Sequence, residues 1–141
     1  MIPVVLDVSA TLSWLIDDER DDLAIAMANA VVAEGAIVPG LWRLELRNAL
    51  LTAERRRRLT QREVSDVLND LQKMPIEIAA SPTPADGEAE LTLARTYGLS
   101  LYNAAYLDVA VRRAVPLMTR DELLAAAADD LKLRWHPAPS P

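Results

Sequence analysis

Short apolar runs rich in β-branched residues alternate along this 141-residue chain with longer segments of helical periodicity. Such runs are typical of strands that are buried on both faces. They predict strands at positions 2–6, 36–38, 76–79, 115–118 and 133–135. Strands that alternate with helices form right-handed βαβ units around a mainly parallel sheet. We therefore expect an α/β fold with roughly five strands, in a single domain over residues 1–135 that is followed by a proline-rich tail at 136–141.

The helix signals agree with this alternation. Two sequences predict capping boxes, in which a threonine and a glutamate three residues later satisfy the first N–H groups of a helix. One is Thr60 with Glu63, and the other is Thr119 with Glu122. The predicted helices cover residues 9–15, 22–33, 41–57, 60–73, 88–97, 101–113 and 119–130.

The composition excludes several kinds of site and location. The chain has no cysteine and a single histidine, His136, which excludes disulfides, thiolate metal sites and a histidine-rich zinc site within one chain. No apolar run approaches the length of about 18 residues that a membrane-spanning helix needs. The N-terminal sequence has no basic region before its apolar stretch, so we expect no signal peptide and a cytoplasmic protein.

The charge balance argues against a protein that binds nucleic acid through its overall field. Fifteen Lys+Arg and 21 Asp+Glu give a net charge of −6, so an RNA partner would be held by local patches. The four arginines at 55–58 are either such a patch or a solvated helix end whose charge suits the helix dipole. The acidic run at 17–22 is most simply a solvated loop, and the four glycines form no phosphate-binding loop pattern.

Three acidic residues stand near the ends of predicted strands. Asp7 follows the first strand, Asp121 follows the fourth, and Glu45 lies at the apolar stripe of the helix at 41–57. Each has an ordinary explanation, namely an Asx turn, a favourable helix dipole and a side chain that reaches water. Ligands, however, bind at the carboxyl edge of a parallel sheet, and clustered carboxylates need a hard cation. The pattern therefore predicts a Mg²⁺ or Mn²⁺ site at this edge.

Three longer sequences are specific in combination: VVLDVSATLSWL, VPGLWRLELRNAL and LSLYNAAYLDVAVRRAVPLMTRDELL. They resemble the PIN-domain family, and within it the VapC-type toxins of toxin–antitoxin pairs, over residues 2–135. The resemblance implies a three-layer α/β/α fold and a Mg²⁺- or Mn²⁺-dependent endoribonuclease that cleaves RNA phosphodiesters. It also implies a homodimer that a VapB-like antitoxin neutralises. The lack of a long apolar run, separately, predicts no membrane partner.

The resemblance assigns roles to individual residues. Asp7 matches the first catalytic acid, Glu45 matches the second, and Asp121 matches the acid of the T-x-D motif, so these three are the implied metal ligands. Asn103 stands at the place of the third catalytic acid. The supporting polar residues that the resemblance implies are Ser9, Asn48 and Thr119.

Position 103 departs from the family pattern LS-x-YDAAYL, because this chain has Asn103 where the pattern has aspartate. Asparagine keeps a carbonyl acceptor but carries no charge, so we expect weak metal binding and little RNA cleavage. The sequence leaves open an engineered substitution, a naturally weakened toxin and an enzyme that tolerates asparagine. It also leaves open a catalytically inactive module that binds RNA or an antitoxin.

The aromatic residues have structural explanations as well. Tyr102 and Tyr106 are four residues apart on one predicted helix, and we expect core or dimer packing for them rather than base stacking. Trp14 and Trp42 are expected in the core or in a groove that receives an antitoxin helix.

Overall fold

The computed structural model describes residues 2–139 and consists of a central sheet flanked by helices. Its strands are β1 (Val4–Leu6), β2 (Ala36–Val38), β3 (Ile76–Ile78) and β4 (Leu117–Met118). Its helices are α1 (Val8–Leu15), α2 (Asp22–Glu34), α3 (Leu41–Arg55), α4 (Gln61–Gln72), α5 (Glu88–Tyr97), α6 (Leu101–Arg113) and α7 (Glu122–Asp130). A short 3₁₀ helix covers Asp17–Glu19.

The four strands are parallel, and their order across the sheet is β3-β2-β1-β4. Val5 of β1 pairs with Ile37 on one side and with Leu117 on the other. The chain therefore moves outward from β1 to β3 and then returns to add β4 on the opposite side of β1. In sheets of this kind the binding crevice lies beyond the carboxyl ends of the strands, where the strand order reverses. Here that point lies between β1 and β4.

The core lies around β1 and β2, whose residues are all buried. Helix α6 packs against both strands and buries Ala104 and Leu107. Trp14 and Trp42 are also buried, and the Trp42 Nε1–H donates to Thr11 Oγ1 at 3.2 Å. Within residues 2–139, no helix has the length and apolar content that crossing a membrane requires.

The fifth strand that the sequence predicts at 133–135 is reduced to a single bridge, in which Arg134 pairs with Leu117 in parallel. The Leu117 N–H donates to the Leu133 carbonyl at 2.6 Å, and the Trp135 N–H donates to the Leu117 carbonyl at 2.9 Å. Because β4 has only two residues, it offers too few main-chain groups for a longer ladder. Residues 136–139 of the predicted tail form no helix or strand, whereas residues 140 and 141 lie outside the described residues.

Only one of the two predicted capping boxes is confirmed. Thr60 and Glu63 form the reciprocal pair that begins α4. The box predicted at Thr119 is wrong, because α7 begins one residue after Asp121 and uses the Asp121 side chain as its N-cap. The Thr119 hydroxyl instead donates to the carboxylate of Asp7.

The acidic run at 17–22 and the arginine run at 55–58 meet in space. Arg58 donates to Asp18 at 3.0 Å and to Glu19 at 3.1 Å. The acidic run is therefore not a simple solvated loop, since it contains the 3₁₀ helix and the start of α2. Ion pairs as exposed as these contribute little to stability individually.

Candidate active site

The centre of the site is the carboxylate of Asp7, which directly follows β1 and is 4% exposed. It is the N-cap of α1, because its Oδ1 accepts the Ala10 N–H at 2.9 Å. The Ser9 hydroxyl donates to the same carboxylate and lies 2.8 and 2.9 Å from its two oxygens. The Thr119 hydroxyl donates to Oδ2. A buried carboxylate is costly without such partners, so these donors hold Asp7 in one orientation.

The loop between β4 and α7 supplies the other half of the site. Because β4 is the neighbour of β1, the residues that follow these two strands meet at the carboxyl edge. The Arg120 N–H donates to Ser9 Oγ at 2.8 Å, and the Asp121 N–H donates to Thr119 Oγ1 at 3.0 Å. A continuous chain of hydrogen bonds therefore leads from Asp7 through Thr119 to the backbone of Asp121.

Asp121 adds a second carboxylate beside Asp7. Its Oδ1 accepts the Leu124 N–H at 2.9 Å and so caps α7. No hydrogen bond found within the described part of the chain uses its Oδ2. The negative charge of Asp121 raises the pKa of Asp7, so the two carboxylates interact electrostatically.

Burial is the main cause of the unusual ionisation of Asp7, and it raises the pKa of this carboxyl from the ordinary 3.8 to about 6. The hydrogen bonds from Thr119, Ala10 and Ser9 lower the pKa and oppose this effect. The protein thus compensates the charge of Asp7 only in part. A cation next to Asp7 and Asp121 would stabilise the ionised form of both.

An ion pair fixes the same loop from its outer side. The Arg120 guanidinium contacts both oxygens of Asp21, at 2.7 and 2.8 Å. Asp21 is also the N-cap of α2, and its hydrogen bond from Arg120 holds the pKa of this carboxyl well below its usual range. The pair therefore ties the loop that carries Thr119 and Asp121 to the start of α2.

Glu45 joins the site through a residue whose role the sequence analysis missed. The Tyr106 hydroxyl donates to Glu45 Oε1 at 2.6 Å, and the tyrosine itself is buried. Burial raises the pKa of Tyr106, and the hydrogen bond to Glu45 and the negative charges of Glu45 and Asp7 add to that rise. The sequence predicts core or dimer packing for Tyr106, and its side chain is buried in the core. The signal that could have indicated more is its position one helical turn after Asn103.

Asn103 lies in the first turn of α6 and is half-buried. Its backbone N–H donates at 3.1 Å to the hydroxyl of Ser100, the N-cap of the helix. Residues three apart share a helix face, so Asn103 lies on the side of α6 that carries Tyr106. Asn48, by contrast, is exposed on α3, and its side chain has no hydrogen-bond partner among residues 2–139.

The donor chemistry suits a hard cation, although the acids form no three-carboxylate cage. In the part of the chain that the structure describes, no three His, Cys, Asp or Glu side chains lie close enough to hold a metal ion. Asp7 and Asp121 interact directly, whereas Glu45 contacts Tyr106, whose pKa the charge of Asp7 also raises. These residues fit a Mg²⁺ ion that keeps several waters and takes one or two carboxylates.

Comparison with known proteins identifies the family. A family model of the PIN domain matches residues 4–130. The chain belongs to the PIN-domain family. The α/β fold with a parallel sheet between helices agrees with this assignment, and it confirms the fold class that the sequence predicted. A PIN domain implies a nuclease-type fold, typically one that depends on a divalent metal, so the acidic edge of this PIN domain is its candidate active site.

A solved structure supports the fold. The crystal structure of PAE2754 from Pyrobaculum aerophilum is similar to this PIN domain, with a TM-score of 0.63 and 20% sequence identity. The similarity covers 89% of this chain and 84% of that chain. At this identity it shows a shared fold. No curated protein sequence matches the chain.

Proposed function

We propose that this PIN domain is a Mg²⁺- or Mn²⁺-dependent endoribonuclease toxin of the VapC type, which acts in the cytoplasm and is neutralised by a cognate VapB-like antitoxin. The observation that carries the proposal is the hydrogen-bonded chain from Asp7 through Thr119 to Asp121 at the switch point of a PIN-domain sheet. A buried, oriented carboxylate with a raised pKa at such a place is typical of a functional group rather than of a packing residue.

The side chains at this edge have different proposed roles. Asp7 and Asp121 would hold the cation, Ser9 and Thr119 orient Asp7, and Tyr106 holds Glu45. When bound, the cation supplies activation of water and stabilisation of charge at the phosphodiester. Ionisation of Asp7 is therefore needed for cation binding, and its raised pKa makes that binding weaker in acid.

Asn103 favours a second candidate, a PIN module that binds RNA or an antitoxin without cutting. An amide is a poorer ligand for Mg²⁺ than a carboxylate. With Asn103 in place, the carboxylates in direct electrostatic contact at this edge of the sheet are Asp7 and Asp121, and no third described acid completes a metal-binding group with them. Weak activity of the chain as it stands is therefore part of the proposal.

A matched pair of proteins tests the two candidates. The parent chain and its Asn103→Asp variant are each given structured RNA with Mg²⁺ or Mn²⁺, with chelator and Asp7→Ala as controls. Cleavage that appears with Asn103→Asp and disappears with either control supports the nuclease. Binding of RNA without cleavage by both proteins, at full occupancy by Mn²⁺, contradicts the nuclease and supports the non-catalytic module.

The antitoxin part of the proposal has its own experiment. The small protein encoded next to this chain is co-expressed with it, and the affinity-tagged PIN domain is purified. Co-purification of a stoichiometric complex that suppresses the cleavage by Asn103→Asp supports the toxin role. An active Asn103→Asp nuclease that no neighbouring product binds or inhibits contradicts that role, and leaves the nuclease assignment standing.

A further inference from the structure

A cavity lies along the same carboxyl edge, beyond β2 and β3. Its volume is about 280 Å³, somewhat below the roughly 300–1,000 Å³ of pockets for drug-sized ligands. The segment at 79–82, which follows β3, forms one wall. The other walls combine apolar side chains with one acid and one base, and are formed by Pro39, Leu41, Glu90, Ala105, Val109 and Arg112.

The arginine in this wall is held in place by a buried acid. The Arg112 Nε–H donates to Asp108 Oδ2 at 2.8 Å, and the Asp108 side chain is only 3% exposed. This contact uses only the Nε–H of Arg112. Its terminal N–H groups make no hydrogen bond within residues 2–139, so they are available to a ligand. A guanidinium fixed at one edge presents the rest of its fork as a rigid pair of donors. Arg112 is thus organised before any ligand arrives.

Glu90 of α5 complements this arginine. It is half-buried at the cavity, and burial, followed by the charge of Asp108, raises its pKa. Arg112 opposes that rise, so the three groups interact. One guanidinium between two carboxylates leaves the cluster without excess positive charge. A phosphate would be repelled here, whereas a neutral ring with both acceptors and donors on its edge would match the cluster.

The cavity also lies one turn of α3 away from Glu45. Leu41 in its wall lies four residues before Glu45, and residues at this spacing share a helix face. An RNA strand that reaches Glu45 would therefore pass the cavity within one helical turn. Proteins recognise single-stranded RNA largely by receiving splayed bases in pockets and bonding to their edges.

We propose that this cavity is a nucleobase site that prefers guanine, with Arg112 donating to the O6 and N7 acceptors and Glu90 accepting from the ring N1–H and the exocyclic N2 amino group. Arginine facing this pair of acceptors is the commonest specific contact to guanine. The inference deepens the proposed function, on which it rests, by assigning base recognition next to the cleavage site.

The experiment uses nucleotide binding rather than cleavage. The chain is labelled with ¹⁵N and titrated, in chelator, with the 5′-monophosphates of guanosine, adenosine, cytidine and uridine and with inorganic phosphate. We expect the guanosine nucleotide to bind most tightly and to shift the amides at 40–41, 80–81 and 105–112. Arg112→Lys, which keeps the charge but removes the fork, should weaken its binding by about tenfold, and Glu90→Gln should weaken it as well.

Arg113 provides a matched control. Its side chain is as exposed as that of Arg112, at 42%, and it pairs with the exposed Glu77 on the outer surface of the fold. Arg113→Lys should therefore leave binding unchanged, and thermal unfolding of each variant verifies the fold. Equal affinity for the four nucleotides, equal shifts with inorganic phosphate, or equal losses in the two arginine variants would overturn the proposal. Because no cleavage is measured, these results are independent of whether the chain is a nuclease.

Discussion

Asp7 shows at the level of one residue how a buried carboxylate opposes stability. Its carboxylate is almost completely buried, and its pKa of about 6 lies above the ordinary 3.8. Between these values the folded protein binds more protons than the unfolded chain does. The stability of the fold therefore falls as the pH rises through this window. The donors Ser9, Thr119 and Ala10 limit this cost without removing it.

Asp7→Asn should therefore remove a pH-dependent destabilisation. In chelator, we expect the free energy of unfolding of the variant, relative to that of the parent, to rise by up to about 3 kcal/mol between pH 4 and pH 7. The reason is that the Asp7 pKa of about 6 in the folded protein lies above the ordinary 3.8. Urea unfolding of both proteins across this range measures the difference. A constant difference at all pH values would show that the Asp7 carboxyl does not titrate abnormally.

Tyr106 is a residue whose hydroxyl and ring have separable roles. Tyr106→Phe keeps the buried ring but leaves Glu45 without its donor at 2.6 Å. Since a hydrogen bond to a charged group contributes about 1.5–3 kcal/mol, we expect a loss of that size in the free energy of unfolding and weaker Mn²⁺ binding.

Tyr102 supplies the control, since it is 64% exposed one turn earlier on the same helix. Tyr102→Phe should change the free energy of unfolding by less than about 0.5 kcal/mol. Similar losses in the two variants would mean that the Tyr106 hydroxyl does not support Glu45 specifically.

At the level of elements, the site uses the same local device twice. A buried parallel strand ends, an aspartate follows it, and the aspartate caps the next helix, as Asp7 does for α1 and Asp121 does for α7. The helix-capping role of these aspartates is therefore compatible with their proposed role in cation binding. A carboxylate has two oxygens, and at Asp121 one caps the helix while the other is left for a ligand.

Two substitutions at Asp121 separate these roles. Asparagine is as good an N-cap as aspartate, so Asp121→Asn should keep the stability within a few tenths of a kcal/mol while Mn²⁺ affinity falls. Asp121→Ala should lose the same affinity and, in addition, about 1 kcal/mol of stability. Urea unfolding and a Mn²⁺ titration measure the two effects. Unchanged Mn²⁺ affinity in both variants would remove Asp121 from the cation site.

At the level of the whole molecule, two large apolar side chains of α3 are exposed. Leu44 and Leu51 lie seven residues apart on that helix, so they share a face, and both are exposed. We predict that this face belongs to the homodimer interface, because desolvating such side chains favours association.

Light scattering should accordingly give twice the monomer mass of 15.5 kDa at micromolar concentration. Leu44→Asp should shift the mass toward the monomer. Val32→Asp, on the equally exposed surface of α2, should not. A monomer mass for the parent chain at high concentration would contradict the dimer.

The sequence by itself determined the α/β alternation, the PIN-type motifs and the positions of Asp7 and Asp121 at strand ends. These features are local, because strand burial, helix periodicity and capping depend on residues a few positions apart. Only the tertiary structure decided that Tyr106 donates to Glu45, that Thr119 serves Asp7 instead of capping a helix, and that the last predicted strand is a single bridge. Those contacts join parts of the chain that are distant in sequence. They follow from the strand order β3-β2-β1-β4 and its register, which no local pattern of residues specifies.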